Sequence, residues 1–265
     1  MVLPTGAGKS LTMIRYLENC GKTIWVAHTE ELISQSALVV LCEQYPDLNV
    51  RKIINDYGGV LEFKKKFKSP TIFEQQEFPT ECMIAKHFGI IKADLFEPDG
   101  EIVFASAQTL HNRLHLLEPK MFDVMVVDEA HLFLAKTFLK SVNHFTPRLL
   151  CGLSATPVRS DGASMGDLFE EIVYEYTIDK AIRDGYLCEI DAIRIKTDVS
   201  IDNVKTIGGE FSQKDLQIIN CASRNNLIVD SYFKYADGRQ FVAFCVDVEH
   251  AMDLSKGFNN RGVNC

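Results

Sequence analysis

Residues 3–10 read LPTGAGKS, and their types and spacing suit the capture of a triphosphate. Gly6 and Gly8 let backbone N–H groups turn toward one point and approach an anion closely. Lys9 supplies a mobile positive charge for β- and γ-phosphates, and Ser10 a hydroxyl for Mg²⁺. Pro4, Thr5 and Ala7 complete the loop. A strict G-x-x-x-x-G-K-[ST] pattern needs a glycine where the chain has Leu3, so only the shorter T-G-x-G-K-S form is present. A plain glycine-rich turn is the competing reading.

A second chemical group lies in VMVVDEAH, residues 124–131. Asp128 and Glu129 end an apolar run. Two carboxylates there suit Mg²⁺ work, one holding the ion and the other polarising an attacking water. Read alone, the pair could equally mark a strand entering a loop. A third group is GLSATPVRSDG, residues 152–162, where Ser154 and Thr156 follow another apolar run. Small hydroxyls there can relay hydrogen bonds between a nucleotide and a second ligand, or simply favour a turn.

These groups need elements to position them. Leu11, Ile14, Tyr16 and Leu17 share one helical face after the glycine loop, and that helix would aim its positive end at bound phosphate. Strands are expected at 22–28, 101–106, 122–129 and 148–155, with helices at about 30–44, 107–117 and 135–145. Near-continuous Val, Ile, Leu and Phe runs suit strands buried on both faces of a parallel sheet, and alternation with helices gives an α/β fold. Loops leaving such strands meet at one edge, where ligands bind. Residues 55–100 are less regular and read as an insertion with one or two short helices. Within it FKKKFK, residues 63–68, reads as a solvated helix face or a phosphate contact. The pattern restarts near residue 178. Helices are expected in 177–187, 212–220, 224–238 and 249–262, strands at 189–197 and 239–248, and a loop between 199 and 211.

Composition narrows the classes. With 265 residues, 46% of them hydrophobic, the chain can bury a core in one large or two smaller domains. No apolar run is long enough to span a membrane, and no secretory or transit signal precedes the glycine loop, which points to a cytoplasmic or nucleoid-associated protein, not secreted and not membrane-bound. The eight cysteines form no C-x-x-C pair and several sit in apolar runs, so buried thiols are expected rather than disulfides or zinc. A net charge of −8 does not advertise a nucleic-acid binder, but a local basic face decides that, not the sum.

Taken in order, LPTGAGKS, VAHTEELISQ (26–35), ASAQTL (105–110), VVDEAH and GLSATPVRSDG resemble the motifs of superfamily 2 DEAD/DEAH-box helicases. AIRDGYL (181–187) and FVAFCVDVEHA (241–251) resemble the entry to that family's second RecA-like domain. The resemblance covers essentially the whole chain and is nearest to the branch holding type III restriction-enzyme helicase subunits and related DNA repair translocases. It implies a RecA-like P-loop NTPase domain over 1–177, with the insertion at about 55–100, and a linker plus partial second RecA-like domain over 178–265. It implies ATP and Mg²⁺ as cofactors. Pro4, Thr5, Gly6, Ala7, Gly8, Lys9 and Ser10 would bind the triphosphate, Ser10 and Asp128 the Mg²⁺. Lys9, Asp128 and Glu129 would be catalytic. His131, Ser154 and Thr156 would couple turnover to domain movement. Thr29, Gln108 and Thr109 would touch a nucleic-acid backbone, where contacts position but do not specify sequence. The implied activity is ATP-driven movement on DNA, duplex or branched, with RNA less favoured.

Departures from the family pattern matter too. The adenine-reading segment upstream of the loop and the second domain's arginine finger have no counterpart here, so the chain reads as truncated at both ends. Since an arginine finger contributes about 10³–10⁵ in rate, hydrolysis by this stretch alone is expected to be very slow. A nucleotide-binding module without motor activity is the alternative. A restriction-enzyme motor segment is another, although no nuclease constellation is visible.

Overall fold

Apolar runs of four or five residues, each flanked by a helix, have one good way to bury both faces: side by side in a parallel sheet. The computed structural model realises this, describing residues 1–17, 20–67, 79–134, 136–156, 165–197, 200, 204, 206–207 and 210–265. Strands β1 (Thr23–Ala27), β2 (Phe88–Lys92), β3 (Leu95–Phe96), β4 (Ile102–Ser106), β5 (Val124–Val127) and β6 (Leu149–Gly152) form one sheet in the order β3-β2-β4-β1-β5-β6. All pairings are parallel except β2 with β3. Four of the strands fall within the expected 22–28, 101–106, 122–129 and 148–155.

Alternation along β1 sends successive side chains to opposite faces. Trp25 and Ala27 pack with Ile33, Ala37 and Leu41 of helix α2 (Glu30–Gln44), while Ile24 and Val26 pack with Leu110 and Phe133 on the other side. Helix α2 starts where Thr29 accepts the Leu32 N–H, a side-chain cap followed by Glu30 and Glu31 at the positive helix end.

Residues 55–100 are not an insertion beside the sheet. Just after helix α3 (Val50–Asp56), they supply helix α4 (Val60–Lys66), the helix Pro79–His87 and the integral strand β2. Gly89 lets the chain around Glu97 and Gly100 lie directly on β2, where any Cβ would strike backbone. The lysine cluster is also corrected. Val60, Phe63, Lys64 and Phe67 are all buried at i, i+3, i+4 and i+7, so Lys64 belongs to the apolar face. Its Nζ donates to the carbonyls of Ala85 and Phe88 and lies 3.1 Å from Glu97 Oε2. Lys65 pairs with Glu62 at 2.7 Å on the surface, Lys66 lies over the Tyr57 ring, and Lys68 lies outside the described residues.

His87 ends the helix before β2 with its side chain 15% exposed and its Nδ1 3.4 Å from Glu101. Its buried Nε2 has no hydrogen-bond partner among the described residues. Burial lowers its pKa, against a smaller opposing pull from the exposed Glu101. A histidine held neutral in the fold gives its full stability above the unfolded value of about 6.5 and loses it as pH falls below that. Thermal unfolding between pH 7.5 and 5.5 should therefore show a drop in Tm that shrinks in His87→Phe; an equal drop in that variant would assign it elsewhere.

The chain divides into two compact units, Met1–Glu189 and Ile190–Cys265. The division falls after the 177/178 boundary read from sequence, because the helix Ile178–Arg183 buries Ala181 against Leu3 and Tyr176. In the second unit the helices Ala222–Tyr235 and Val248–Asn259 meet around Val229, Leu254 and Phe258. The strands expected at 189–197 and 239–248 do not form. The described ladder there is one hairpin, Thr206–Ile207 with Glu210–Phe211, and Val242 and Phe244 stand 77% and 97% exposed. Apolar alternation raises strand propensity but cannot supply a ladder partner. All eight cysteines are free thiols, and no helix among the described residues is long and apolar enough to cross a membrane.

Candidate nucleotide-binding site

The glycine loop is held from behind by isolated backbone bridges. Val2 bridges to Ser154 on one side and Glu175 on the other, and the Leu3 N–H donates to the Ser154 carbonyl at 3.0 Å. Pro4 accepts the Ala7 N–H, and the chain then turns through Gly6 and Gly8, with φ of +85° and +82°. Only glycine adopts such angles without strain. Gly8 leads straight into helix α1 (Lys9–Tyr16), which has no side-chain cap, so its first N–H groups are left for an external acceptor. Ser10 lies in that first turn, partly buried, and Thr5 at the loop tip is exposed.

Across the sheet edge, β5 delivers the carboxylates. Asp128 is buried, 4% exposed. Its Oδ2 accepts the Trp25 indole N–H at 3.4 Å and the Ser36 hydroxyl at 3.3 Å, and its Oδ1 accepts the Glu129 N–H at 3.0 Å. Burial raises its pKa, while the Trp25 hydrogen bond opposes the shift. Glu129 sits in the left-handed region, φ +49°, an uncommon conformation for a non-glycine residue and one that turns its carboxylate back over the loop. There its Oε1 lies 3.6 Å from Lys9 Nζ and its Oε2 3.6 Å from His131 Nδ1. Lys9 also reaches the Leu3 carbonyl at 3.5 Å.

From Glu129 a polar chain continues. His131 Nδ1 is 3.0 Å from Ser154 Oγ. Ser154 Oγ donates to the Thr156 carbonyl at 2.6 Å and accepts the Thr156 N–H at 3.1 Å. Residues 157–164, the rest of that motif, lie outside the described residues. The donors fit the expected ligands: two carboxylates and a serine hydroxyl are hard oxygens suited to Mg²⁺, and Lys9 with the bare start of α1 suits phosphate.

Thr29, Gln108 and Thr109 follow β1 and β4, neighbouring strands, so they share the edge at which Asp128 leaves β5. Gln108 is exposed, Thr29 caps α2, and Thr109 Oγ1 accepts the Ala93 N–H at 3.3 Å. Trp25 and Ser36 were not legible as site residues. They reach Asp128 across 103 and 92 positions, and the only sequence signal was that Trp25 is the single tryptophan.

The profile of the family described as "Type III restriction enzyme, res subunit" matches residues 1–159. The candidate ATP-dependent helicase IRC3 of Saccharomyces cerevisiae is 28% identical over 188 residues, covering 67% of this chain and 27% of that protein. The candidate helicase 109L of Invertebrate iridescent virus 3 is 49% identical over 157 residues, covering 50% of this chain and 46% of that protein. The chain thus spans less than half the length of either relative. The solved Dbp5 of S. cerevisiae, bound to Gle1 and IP6, superimposes with a TM-score of 0.46 at 15% identity, over 98% of this chain and 54% of that one. The parallel α/β sheet is RecA-like, and the family match gives the chain a helicase-like nucleotide-binding module. A match across residues 1–159, more than half of its length, fixes the family: the chain belongs to the type III restriction enzyme res subunit family.

Proposed function

We propose that the chain binds ATP with Mg²⁺ and hydrolyses it to drive movement on DNA, as the ATP-binding part of a nucleic-acid motor. The observation that carries the reading is Lys9 facing Glu129 at 3.6 Å over the glycine loop, with Asp128 buried alongside. Two groups of opposite charge meet there. An incoming γ-phosphate is a better partner for Lys9 than a carboxylate with other contacts. Once Lys9 turns to phosphate, Glu129 is released to orient water and accept its proton. Ser10 and Asp128 would hold Mg²⁺, which when bound neutralises charge on the phosphate oxygens. His131 touches Glu129 and Ser154, so a shift at Glu129 reaches the Thr156 loop.

The restriction-enzyme description of the family supports DNA over RNA. Thr29, Gln108 and Thr109 are proposed to contact its backbone, and Thr109 keeps a hydroxyl proton to donate while accepting from Ala93. A module that binds nucleotide without moving along nucleic acid is the second reading, favoured by the Lys9–Glu129 pair acting as a stable latch.

The reading is tested at Lys9. Lys9→Ala is expected to weaken a non-hydrolysable ATP analogue by about 10- to 100-fold, the weight of a charge-assisted bond to phosphate. Equilibrium titration with a fluorescent analogue measures it, and undiminished affinity would remove the phosphate site from this loop.

A further inference from the structure

We infer that Trp25 and Ser36 are positioning residues that set the plane of the Asp128 carboxylate for a divalent cation, and that Trp25 thereby reports on the occupancy of that site. The inference rests on the reading of Asp128 as the cation-binding carboxylate.

An aspartate at the end of a strand has two free torsions, and burial alone does not fix the second. Here three donors from three elements do. The Trp25 N–H comes from β1, the Ser36 hydroxyl from α2, and the Glu129 N–H from the turn after β5. Two of them converge on Oδ2 and one on Oδ1, which leaves one lone pair of an ionised carboxylate, on Oδ1, unclaimed. Trp25 is 1% exposed and Ser36 2%, so neither side chain can swing aside to water. Trp25 is anchored in the central sheet, where it pairs in register with Val126, two residues before Asp128, and the Asp128 N–H donates to the Val26 carbonyl at 2.9 Å; Ser36 is buried on helix α2. The carboxylate is therefore referenced to the most rigid part of the unit rather than to the loop it borders. Groups that hydrogen-bond a metal-binding side chain from behind typically alter metal affinity by about 10–100-fold when removed.

A different account runs the other way. A buried indole N–H needs an acceptor, and Asp128 could merely satisfy it. The two accounts separate on cation affinity. Trp25→Phe keeps an aromatic but smaller ring and removes the donor, and Ser36→Ala removes the hydroxyl. The probe is Mn²⁺ with a fluorescent non-hydrolysable ATP analogue, added to the 265-residue chain. The readout is the Mn²⁺ concentration for half-maximal analogue binding, with circular dichroism to confirm the fold. Trp25→Phe should raise that concentration by about 10-fold or more, and Asp128→Asn by at least as much. Unchanged Mn²⁺ dependence in Trp25→Phe, with Asp128→Asn impaired, overturns the positioning role and leaves the cation reading standing. Unchanged dependence in Asp128→Asn overturns the reading beneath it as well. The unaltered chain supplies a second test that needs no foldable Trp25 variant. Its one tryptophan should be quenched by paramagnetic Mn²⁺ over the same concentration range, and Asp128→Asn should lose that quenching; emission indifferent to Mn²⁺ overturns the proposal.

Discussion

In a length-complete version of the protein, Glu129→Gln is expected to lower ATP turnover by about 10²–10⁴-fold while nucleotide affinity holds or rises. Glutamine keeps the length and planarity of the side chain but cannot take a proton from water. It also removes the negative charge 3.6 Å from Lys9 Nζ, so phosphate no longer competes with a carboxylate for that lysine. The loop itself should survive the change, since the left-handed backbone at residue 129 is held by the Ala130 N–H donating to Leu153 at 2.8 Å and the Leu132 N–H returning to the Glu129 carbonyl at 2.9 Å. Single-turnover phosphate release with protein in excess is the suitable assay, because it resolves slow chemistry and separates it from product release. Turnover at the unaltered rate would sink the assignment of Glu129 as the water-activating residue.

Lys64→Ala should destabilise the first unit by about 3–5 kcal/mol, the penalty for breaking a buried ion pair from one side. Lys64 is 5% exposed, and burial lowers its pKa despite the opposing influence of Glu97. Removing it strands two carbonyls, those of Ala85 and Phe88, and leaves Glu97 charged without its cation. Glu97 Oε2 is already buried with no directed hydrogen bond among the described residues, so the 3.1 Å ionic contact is its compensation. The double change Lys65→Ala, Lys66→Ala should shift stability by no more than about 0.5 kcal/mol, because its surface ion pair with Glu62 exchanges water for little gain. Urea unfolding of both variants measures the contrast. A loss under about 1 kcal/mol for Lys64→Ala would mean that the helix slides or water enters to rehydrate Glu97.

Those neighbouring lysines show where sequence reading reaches and where it stops. Charge runs invite a surface interpretation, yet the spacing of Val60, Phe63, Lys64 and Phe67 already described an inward face. The signal was present and was outweighed by residue type. The strands β1, β4, β5 and β6 were legible because each is an unbroken apolar run. Strand β2 was hidden between Lys86-His87 and a tight hairpin, in a stretch broken by prolines and glycines. At 239–248 the opposite error arose: FVAFCV has strand composition, but a strand exists only with a neighbour. Lys9, Asp128 and Glu129 were singled out by local chemistry, and the fold brings Lys9 within 3.6 Å of Glu129. Trp25 and Ser36 were not singled out, because their meaning lies in a contact that only folding creates.

The bridge from Val2 to Ser154 has a bearing on how the protein acquires its grip. The backbone behind the glycine loop pairs with a residue about 150 positions further along the chain, a closure of high contact order. Nucleotide affinity in a refolding chain should therefore rise late, after helical signal and tryptophan burial are complete. Capture of nucleotide at this loop would report that the first unit has closed around a distant partner.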